Sequence, residues 1–290
     1  MKIREIGEVK NLHPCFNKGN NKGRMHLPVC PACNIQCKFC ERKIGGGDAE
    51  IRPGRAASLI RPEDAGDYVA EALKLCPEIT VVGIAGPGDT LATDHALRAF
   101  RVIDARFPML IKCMSTNGLL LPERIDELVE ARINTLTVTV NAVNPAILSR
   151  LCSGIVYHGK FYEGEEAGLI LIRNQLDGIR LASKAGIVVK VNAVFAPDIN
   201  GGHIKNIAKQ VGRAGADIFN IIPLIPQQEL QDQRAPNCEE IDSVRTAAEQ
   251  YVPVFKHCQH CRADAVGLLG GQDLGSRIYQ ERVKDTFSHG

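Results

Sequence analysis

Residues 166–195 read EAGLILIRNQLDGIRLASKAGIVVKVNAVF, a stretch that joins a helical pattern to a strand pattern. Four apolar residues recur at helical spacing in its first half: Leu169, Ile172, Leu176 and Ile179. We predict a helix from about Glu166 to Lys184, with Gly186 ending it. The β-branched run Val188–Val194 then predicts a strand. A helix followed directly by a strand is the repeating unit of parallel α/β sheets.

Five further apolar runs have the length and composition of strands: Met25–Val29, Ile79–Ile84, Met109–Cys113, Leu136–Val140 and Ile218–Ile222. Helical segments separate them, and two begin near Pro62 and Pro122, because proline is accepted in a first helical turn. Six such units predict an α/β fold with a partial (β/α)6 TIM-like barrel, although periodicity alone leaves an open doubly wound sheet as the alternative. In both folds, ligands bind at the carboxyl ends of the strands.

The segment Cys152–Gly168 reads CSGIVYHGKFYEGEEAG. We predict that it is an inserted loop between two units of the barrel. Long loops in compact domains are often functional, so a lid over the site is the expected role.

The composition is that of a folded globular protein, with 44% apolar and 23% charged residues in a chain of 290. The net charge of +2 comes from scattered basic residues, which argues against a nucleic-acid-binding surface. No apolar run reaches the roughly 18 residues of a membrane span. The first residues, MKIREIGEVKNLHPC, lack the apolar core of a signal peptide, so we expect a cytoplasmic protein without membrane contact.

The eleven cysteines are unusually many, and four of them lie between Cys30 and Cys40, in CPACNIQCKFC. An odd count without an export signal indicates metal binding or redox chemistry rather than disulfides. A structural zinc usually takes two ligand pairs separated by about a dozen residues or more, and a dithiol needs only C-x-x-C. The spacing C-x3-C-x2-C favours a [4Fe–4S] cube held by three thiolates of one loop, with one iron left open.

This motif, with the aromatic Phe39 before its last cysteine, resembles the signature of radical SAM enzymes. The resemblance implies that a [4Fe–4S] cluster is held by three cysteines: Cys33, Cys37 and Cys40. Its fourth iron would bind the amino and carboxylate groups of S-adenosylmethionine (SAM). The resemblance also implies that GIAGPGD, residues 83–89, holds the methionyl end of SAM through Gly86, Gly88 and Asp89.

Three polar residues at predicted strand ends could also hydrogen-bond SAM: Ser115, Asn117 and Asn141. Capping of local turns explains the two asparagines nearly as well.

Further motifs occur in order along the chain: HPCF from His13, RMHLPV from Arg24, STNGL from Ser115, TVTVNAV from Thr137, and HCQHCRADAVGLLG from His257. Together they are similar to the NifB family of nitrogenase cofactor assembly enzymes over about residues 11–270. The resemblance implies one radical SAM domain over residues 1–290, with the barrel at about 24–225. Extensions at 1–23 and 226–290 would carry further cluster ligands.

The activity implied by this resemblance is the fusion of two [4Fe–4S] clusters with insertion of a SAM-derived carbide, giving the eight-iron precursor of nitrogenase cofactor. One precursor cluster would be held by three cysteines: Cys15, Cys258 and Cys261. The other would be held by His26 and Cys113, and Cys113 would also be catalytic. Glu50 matches a family glutamate that guides or protects the site, the alternative being a solvated loop carboxylate.

The chain departs from the family where Gly45–Gly47 replace a cysteine. We hypothesise that Cys30 supplies the missing ligand, the alternative being a packed thiol. Arg262 and Asp264 are expected to support the second cluster as an ion pair. Three other cysteines are expected to be structural: Cys76, Cys152 and Cys238.

The resemblance implies three kinds of partner: NifEN-like scaffold proteins, NifX-like carrier proteins and a reductant such as ferredoxin. Two other functions remain open from the residues alone. One is a different radical SAM enzyme, acting on a small molecule or peptide, with an auxiliary iron–sulfur cluster. The other is a non-catalytic carrier of iron–sulfur clusters.

Overall fold

The structure is a computed structural model that describes residues 6–16, 21–45, 54–259, 261–279 and 288–289. Its main sheet has eight strands: β1 Gly23–His26, β2 Ile79–Ile84, β3 Ile111–Thr116, β4 Thr135–Thr139, β5 Val188–Phe195, β6 Ile218–Pro223, β7 Val254–Phe255 and β8 Val266–Leu268. The strand order is β7-β6-β5-β4-β3-β2-β1-β8. Strands β1 to β7 are parallel, and β8 runs antiparallel to β1.

Six long helices connect successive strands of this sheet: α1 Ala65–Leu75, α2 His95–Arg106, α3 Leu121–Glu130, α4 Gly164–Lys184, α5 Ile204–Ala214 and α6 Cys238–Glu249. The six strand–helix units of the sequence prediction are therefore confirmed. Within the described ranges β7 and β8 form opposite edges and do not pair, so the sheet is an open, curled half-barrel. This confirms the predicted α/β fold class with a partial barrel. None of the helices in the described segments has the length and apolarity required to cross a membrane.

Shorter helices and strands lie outside the main sheet and its six long helices. The short helices are Ile6–Leu12, Pro145–Ser149, Pro197–Asn200 and Gly275–Ile278, with 3-10 turns at Pro62–Asp64, Gly201–His203 and Gln228–Leu230. The minor strands are Ala32–Cys33, Ile35–Cys37, Lys43–Ile44, Arg55–Ala56, Cys152–Tyr157, Lys160–Glu163 and Ser288–His289.

The ends of the long helices follow from local chemistry. Helix α6 begins with a capping box, in which the Glu240 amide donates to the Asn237 side chain at 2.8 Å and the Asn237 amide donates to the Glu240 carboxylate at 2.9 Å. Helix α4 ends before Gly186, whose φ of 81° lies in the left-handed region that glycine accepts most readily.

Alternation along the strands sorts their side chains between two faces. Met114 of β3 and Val189 and Val191 of β5 lie in the main hydrophobic core, against the helices. The residues between them, such as Cys113 and Lys190, therefore face the concave interior of the half-barrel. This geometry determines which polar groups can reach a common site.

The amino-terminal helix Ile6–Leu12 packs against the interior of the half-barrel. Its Val9 is buried with Val81, Ile111 and Val188 of β2, β3 and β5. The Thr80 hydroxyl also donates to the Leu12 carbonyl at 2.8 Å. Because Ile111 and Val188 lie at the start of their strands, the helix covers the amino-terminal end of the concavity, and the chain then leads to Cys15.

The prediction of an inserted loop at Cys152–Gly168 was wrong. The segment forms an antiparallel hairpin, Cys152–Tyr157 with Lys160–Glu163, and its last residues belong to α4. The turn places His158 and Gly159 at φ 50° and 72°, which suits a two-residue hairpin turn. The hairpin pairs with Ile35–Cys37, so it supports the cysteine motif as a strand rather than covering it as a mobile lid.

Candidate active site

The three cysteines of the predicted SAM cluster share one loop, which we call the cluster loop, residues 30–40. Cys33 is buried, Cys37 and Cys40 are half-buried, and the Cys40 amide donates to the Cys37 carbonyl at 3.1 Å. Burial raises the pKa of Cys33 to about 12. Burial also raises the pKa of Cys37 well above its ordinary value, and the neighbouring thiols of Cys152, Cys40 and Cys33 add to this rise. The structure therefore brings the three thiols together.

Arg42 is the cation beside these thiols. Its guanidinium donates to the Ile35 carbonyl at 3.1 Å. Burial alone would lower its pKa, but the charges of Cys33, Cys40 and Cys37 raise it above its ordinary value. A fixed positive charge at this position compensates the negative charge that three thiolates bring to a metal cluster.

The GPGD turn after β2 lies against the cluster loop. The Gly88 amide donates to the Cys30 carbonyl at 2.9 Å, and the Asp89 amide donates to the Ala32 carbonyl at 2.8 Å. A Cβ atom at Gly88 would stand 2.1 Å from the Ala32 oxygen. Glycine is therefore required for the two backbones to meet.

The carboxylate of Asp89 is surrounded by protein donors. It accepts from the Leu91 amide at 2.9 Å, the Thr116 hydroxyl at 3.0 Å and the Asn117 amide at 2.5 Å. Burial raises the pKa of Asp89, and these hydrogen bonds oppose the rise. In this geometry Asp89 ties the turn after β2 to the end of β3, and a direct contact with SAM stays a prediction.

The other predicted SAM contacts have different surroundings. The Asn117 amide group donates to the Asn34 side chain at 2.7 Å and lies 3.8 Å from the Cys33 sulfur. The Asn141 side chain accepts from the Val194 amide of β5 at 2.9 Å, a bond between distant parts of the chain rather than the cap of a local turn. Ser115 faces the concavity from β3, and its carbonyl accepts from the Thr90 hydroxyl at 2.8 Å.

The residues of the cluster loop fit a [4Fe–4S] cluster with SAM. Three soft thiolates from one loop are the donor set of such a cube. Arg42 supplies charge compensation, and the glycine turn allows close approach of backbone to the loop. Within the described ranges no three His, Cys, Asp or Glu side chains converge on a position for a single metal ion.

A second group of thiols lies on the concave face. We call it the inner thiol cluster, and its members are Cys15, Cys113, Cys258 and Cys261. The pKa of Cys15 is raised to about 11, mainly by burial, and electrostatic interactions with the thiols of Cys113, Cys261 and Cys258 add to the rise. All four thiols also interact electrostatically with Lys190 of β5. Burial alone would lower the pKa of Lys190, and the thiols raise it above its ordinary value.

The strand boundary around Cys113 differs from the prediction. Strand β3 runs to Thr116 rather than ending at Cys113, so Cys113 lies within the strand. Its side chain reaches the site because it faces the concavity, since Met114 occupies the helix-facing side.

His26 lies at the end of β1 beside Cys113. A Cβ at Gly83 would be 2.9 Å from the His26 ring and 3.6 Å from the Cys113 carbonyl, so the ring packs across Gly83. The His26 Nδ1 atom lies 2.8 Å from the Arg262 carbonyl, which can only accept. Nδ1 therefore carries the proton, and Nε2 keeps a lone pair for a metal. Burial, followed by the charge of Arg24, lowers the pKa of His26 to about 4.

Cys30 lies apart from this second group. Its side chain is buried in the main hydrophobic core. Burial raises its pKa, and the charges that act on it are those of Asp89 and Cys33. The structure therefore packs Cys30, at the start of the cluster loop, into the main core and does not bring it together with His26 and Cys113. Glu50 and residues 46–47 lie outside the described residues.

The predicted ion pair between Arg262 and Asp264 is confirmed, with Nε–Oδ1 and Nη2–Oδ2 distances of 2.8 and 3.0 Å. Asp264 also accepts from the Ala57 amide at 2.6 Å. In the same segment the Ala263 amide donates to the Arg55 carbonyl at 2.9 Å, and a Cβ at Gly54 would be 3.8 Å from the Cys40 sulfur. Residues 54–57 therefore connect the cluster loop to the segment that carries Cys261.

Four residues of the site were not found from the sequence: His13, Arg24, Arg42 and Lys190. Arg24 donates to the Cys261 sulfur at 3.4 Å and to the Gly267 carbonyl at 2.7 Å. His13 accepts from the Cys15 amide at 3.1 Å, and its buried Nε2 has no partner among the described residues. A signal existed for Lys190, which is the only charge within the apolar strand IVVKVNAVF.

Comparison with known proteins agrees with this geometry. The model of the Radical SAM superfamily matches residues 27–211. The FeMo cofactor biosynthesis protein NifB of Methanocaldococcus infernus is 45% identical over 286 residues, covering 98% of this chain and 94% of the relative. The NifB protein of Methanocaldococcus jannaschii is 44% identical and covers 98% of this chain and 95% of the relative. The NifB protein of Klebsiella pneumoniae is 39% identical and covers 91% of this chain and 58% of the relative.

Among solved structures, methylornithine synthase (PylB) superposes with a TM-score of 0.52 at 12% identity, covering 86% of this chain and 70% of that one. This likeness concerns the fold alone. Membership of the superfamily implies one [4Fe–4S] cluster and SAM as cofactors. The chain belongs to the NifB family of the radical SAM superfamily.

Proposed function

We propose that this chain acts in FeMo cofactor biosynthesis, fusing two [4Fe–4S] clusters with a SAM-derived carbide into an eight-iron precursor. The name of its relatives, FeMo cofactor biosynthesis protein, supports this destination of the product. The observation that carries the proposal is the inner thiol cluster. It is a second set of soft ligands, with His26 beside it, on the concave face of a radical SAM half-barrel.

When bound, the [4Fe–4S] cluster and SAM supply reductive cleavage of the sulfonium to a 5′-deoxyadenosyl radical. Cys33, Cys37 and Cys40 would hold that cluster. Arg42 would offset the thiolate charge. The glycine turn at residues 86–88 would keep the backbone close enough to the loop for the methionyl end of SAM.

The two precursor clusters are substrates, so they must be held and later released. One would be bound by the three cysteines of the two extensions, Cys15, Cys258 and Cys261. The other would be bound by His26 and Cys113. Because each thiolate adds to the hold on iron, these incomplete ligand sets favour release, and the imidazole is the more exchangeable ligand.

Cys113 is proposed to be catalytic because it faces the ligand sets of both precursor clusters. It pairs with Gly83, over which the His26 ring packs, and its thiol interacts with Cys15. A thiolate within reach of both clusters could release an iron of one cluster and bind an iron of the other as they fuse. Glu50 is proposed to guide the site, and the methyl group of SAM is the proposed source of the carbide.

The proposed partners are NifEN-like and NifX-like proteins that receive the product, and a ferredoxin-like reductant. This chemistry is expected in the cytoplasm, where thiols stay reduced.

Anaerobic reconstitution with iron, sulfide, a reductant and SAM tests the function. The proposal expects iron beyond the SAM cluster, together with both S-adenosylhomocysteine and 5′-deoxyadenosine. Cys113→Ser should reduce the extra iron and the S-adenosylhomocysteine, whereas Cys238→Ser, at an exposed thiol, should change neither. Release of 5′-deoxyadenosine alone would favour an auxiliary-cluster enzyme. Full iron loading with neither product would favour a cluster carrier.

A further inference from the structure

Lys190 is the cation whose charge interacts with all four thiols of the inner thiol cluster. It is on the concave face of β5, since Val189 and Val191 lie in the core against the helices. Its ammonium nitrogen lies 5.7 Å from the centre of the Phe255 ring. The four thiols whose charges act on it come from three separate parts of the chain: the amino-terminal extension, β3 and the carboxyl-terminal extension.

The ammonium group has no carboxylate partner within the described parts of the chain. A cation removed from water is costly unless an anion or a strong acceptor faces it. The aromatic ring of Phe255 provides a partial substitute only, because a cation–π contact is weaker than a buried ion pair. The groups that could face Lys190 as anions are the four cysteines, once iron converts their thiols to thiolates.

Lys190 matters because its charge interacts with thiols of both proposed ligand sets. Cys15, Cys258 and Cys261 belong to the proposed site of one precursor cluster, and Cys113 belongs to the other. Clusters held by thiolates are anionic, and two anions brought into contact repel each other strongly in a site shielded from water. A cation between them weakens that repulsion and attracts both.

We propose that Lys190 is a positioning residue that holds the two anionic precursor clusters side by side so that they can fuse. This inference rests on the proposed function. Arg24 cannot replace it, because its guanidinium is held at the edge of the group by the Gly267 carbonyl and contacts only Cys261 among the four thiols.

A matched pair of lysines provides the test. Lys205 also lies over an aromatic ring, with its ammonium 5.9 Å from the centre of Tyr251, but on the exposed surface of α5. Variants Lys190→Met, Lys190→Arg and Lys205→Met would be reconstituted anaerobically. Iron per chain, the midpoint potential of the clusters and release of 5′-deoxyadenosine would be measured, and circular dichroism would establish that each variant folds.

We expect Lys190→Met to keep the SAM cluster, with about four irons and release of 5′-deoxyadenosine, and to lose half or more of the remaining iron. Any precursor cluster that it retains should have a more negative potential, because a nearby positive charge favours the reduced state. Lys190→Arg should retain most of the iron, and Lys205→Met should match the wild type.

Full iron loading and an unchanged potential in Lys190→Met would overturn the inference while leaving the proposed function intact. Equal loss of iron in Lys190→Arg and Lys190→Met would also overturn it, because the role would then be steric. A wild-type chain that takes up iron only at the SAM cluster would refute the proposed function and the inference together.

Discussion

The contact between the GPGD turn and the cluster loop predicts a large effect of a single methyl group. In Gly88→Ala the new Cβ would stand 2.1, 2.7 and 2.8 Å from three backbone atoms of Ala32. Backbone cannot move aside as a side-chain end can, so the two segments must separate. The two hydrogen bonds that join them, at 2.9 and 2.8 Å, are then lost or weakened.

Each of these bonds contributes about 0.5–1.5 kcal/mol, and overpacking costs about 1–3 kcal/mol. We therefore expect Gly88→Ala to lower the free energy of unfolding by about 2–6 kcal/mol, a large part of the stability of a domain. Anaerobic urea unfolding of the cluster-free chain would measure this change. Reconstitution of the folded variant should also show reduced iron at the cluster loop.

The control is Gly202→Ala, since a Cβ at Gly202 meets nothing within 4 Å. That substitution should change the free energy of unfolding by about 0.5 kcal/mol or less. If Gly88→Ala behaved like this control and loaded iron normally, the requirement for close backbone approach at the turn would be wrong.

Two further predictions concern buried charges. Asp264→Asn removes one partner of the buried Arg262–Asp264 ion pair and should cost about 3–5 kcal/mol in urea unfolding. Glu71→Gln, at an exposed ion pair, should cost about 1 kcal/mol or less. Similar losses from the two substitutions would contradict a stabilising role of the buried pair. The pKa of His13 is lowered to about 3, mainly by burial, so the unfolded chain binds a proton between about pH 6.5 and 3 that the folded chain does not. The free energy of unfolding of the cluster-free chain should therefore decrease by a few kcal/mol as the pH is lowered from about 6.5 to 3. His13→Asn, which keeps an acceptor for the Cys15 amide, should show a shallower fall, and parallel curves would refute this origin of the pH dependence.

The parts of the fold that the sequence predicts are those with a clear period. Six strand–helix units are readable because apolar residues recur at a spacing near 3.6 in the helices, as in α4, and in β-branched runs in the strands, as in β5. Strands β7 and β8 have two and three residues, too few for any period, and they are stabilised by their neighbours in the sheet. The hairpin at Cys152–Glu163 was missed, and its pairing with Ile35–Cys37 has no local signal because that strand is more than a hundred residues away.

The same distinction holds for the site. The three cysteines of the cluster loop are close in sequence, so their spacing alone indicates a shared metal cluster. The inner thiol cluster combines positions 15, 113, 258 and 261, which only the fold brings together, and the family resemblance was needed to single them out. Arg42 and Lys190 act through proximity to these thiols. The sequence position of a charged residue does not show which groups the fold will place near it. Cys30 was a hypothesis for the ligand that the family carries near Gly45–Gly47, and the fold instead packs its side chain in the main hydrophobic core.

The central claim is that Cys33, Cys37 and Cys40 hold a [4Fe–4S] cluster whose fourth iron is free to bind SAM. Electron paramagnetic resonance of the reduced, anaerobically reconstituted chain, with and without SAM, tests it most directly, provided that the four thiols of the inner cluster are replaced by alanine so that one cluster remains. We predict a [4Fe–4S] signal that changes shape when SAM is added and disappears in Cys37→Ala. A signal indifferent to SAM, or zinc bound in place of iron at this loop, would contradict the claim.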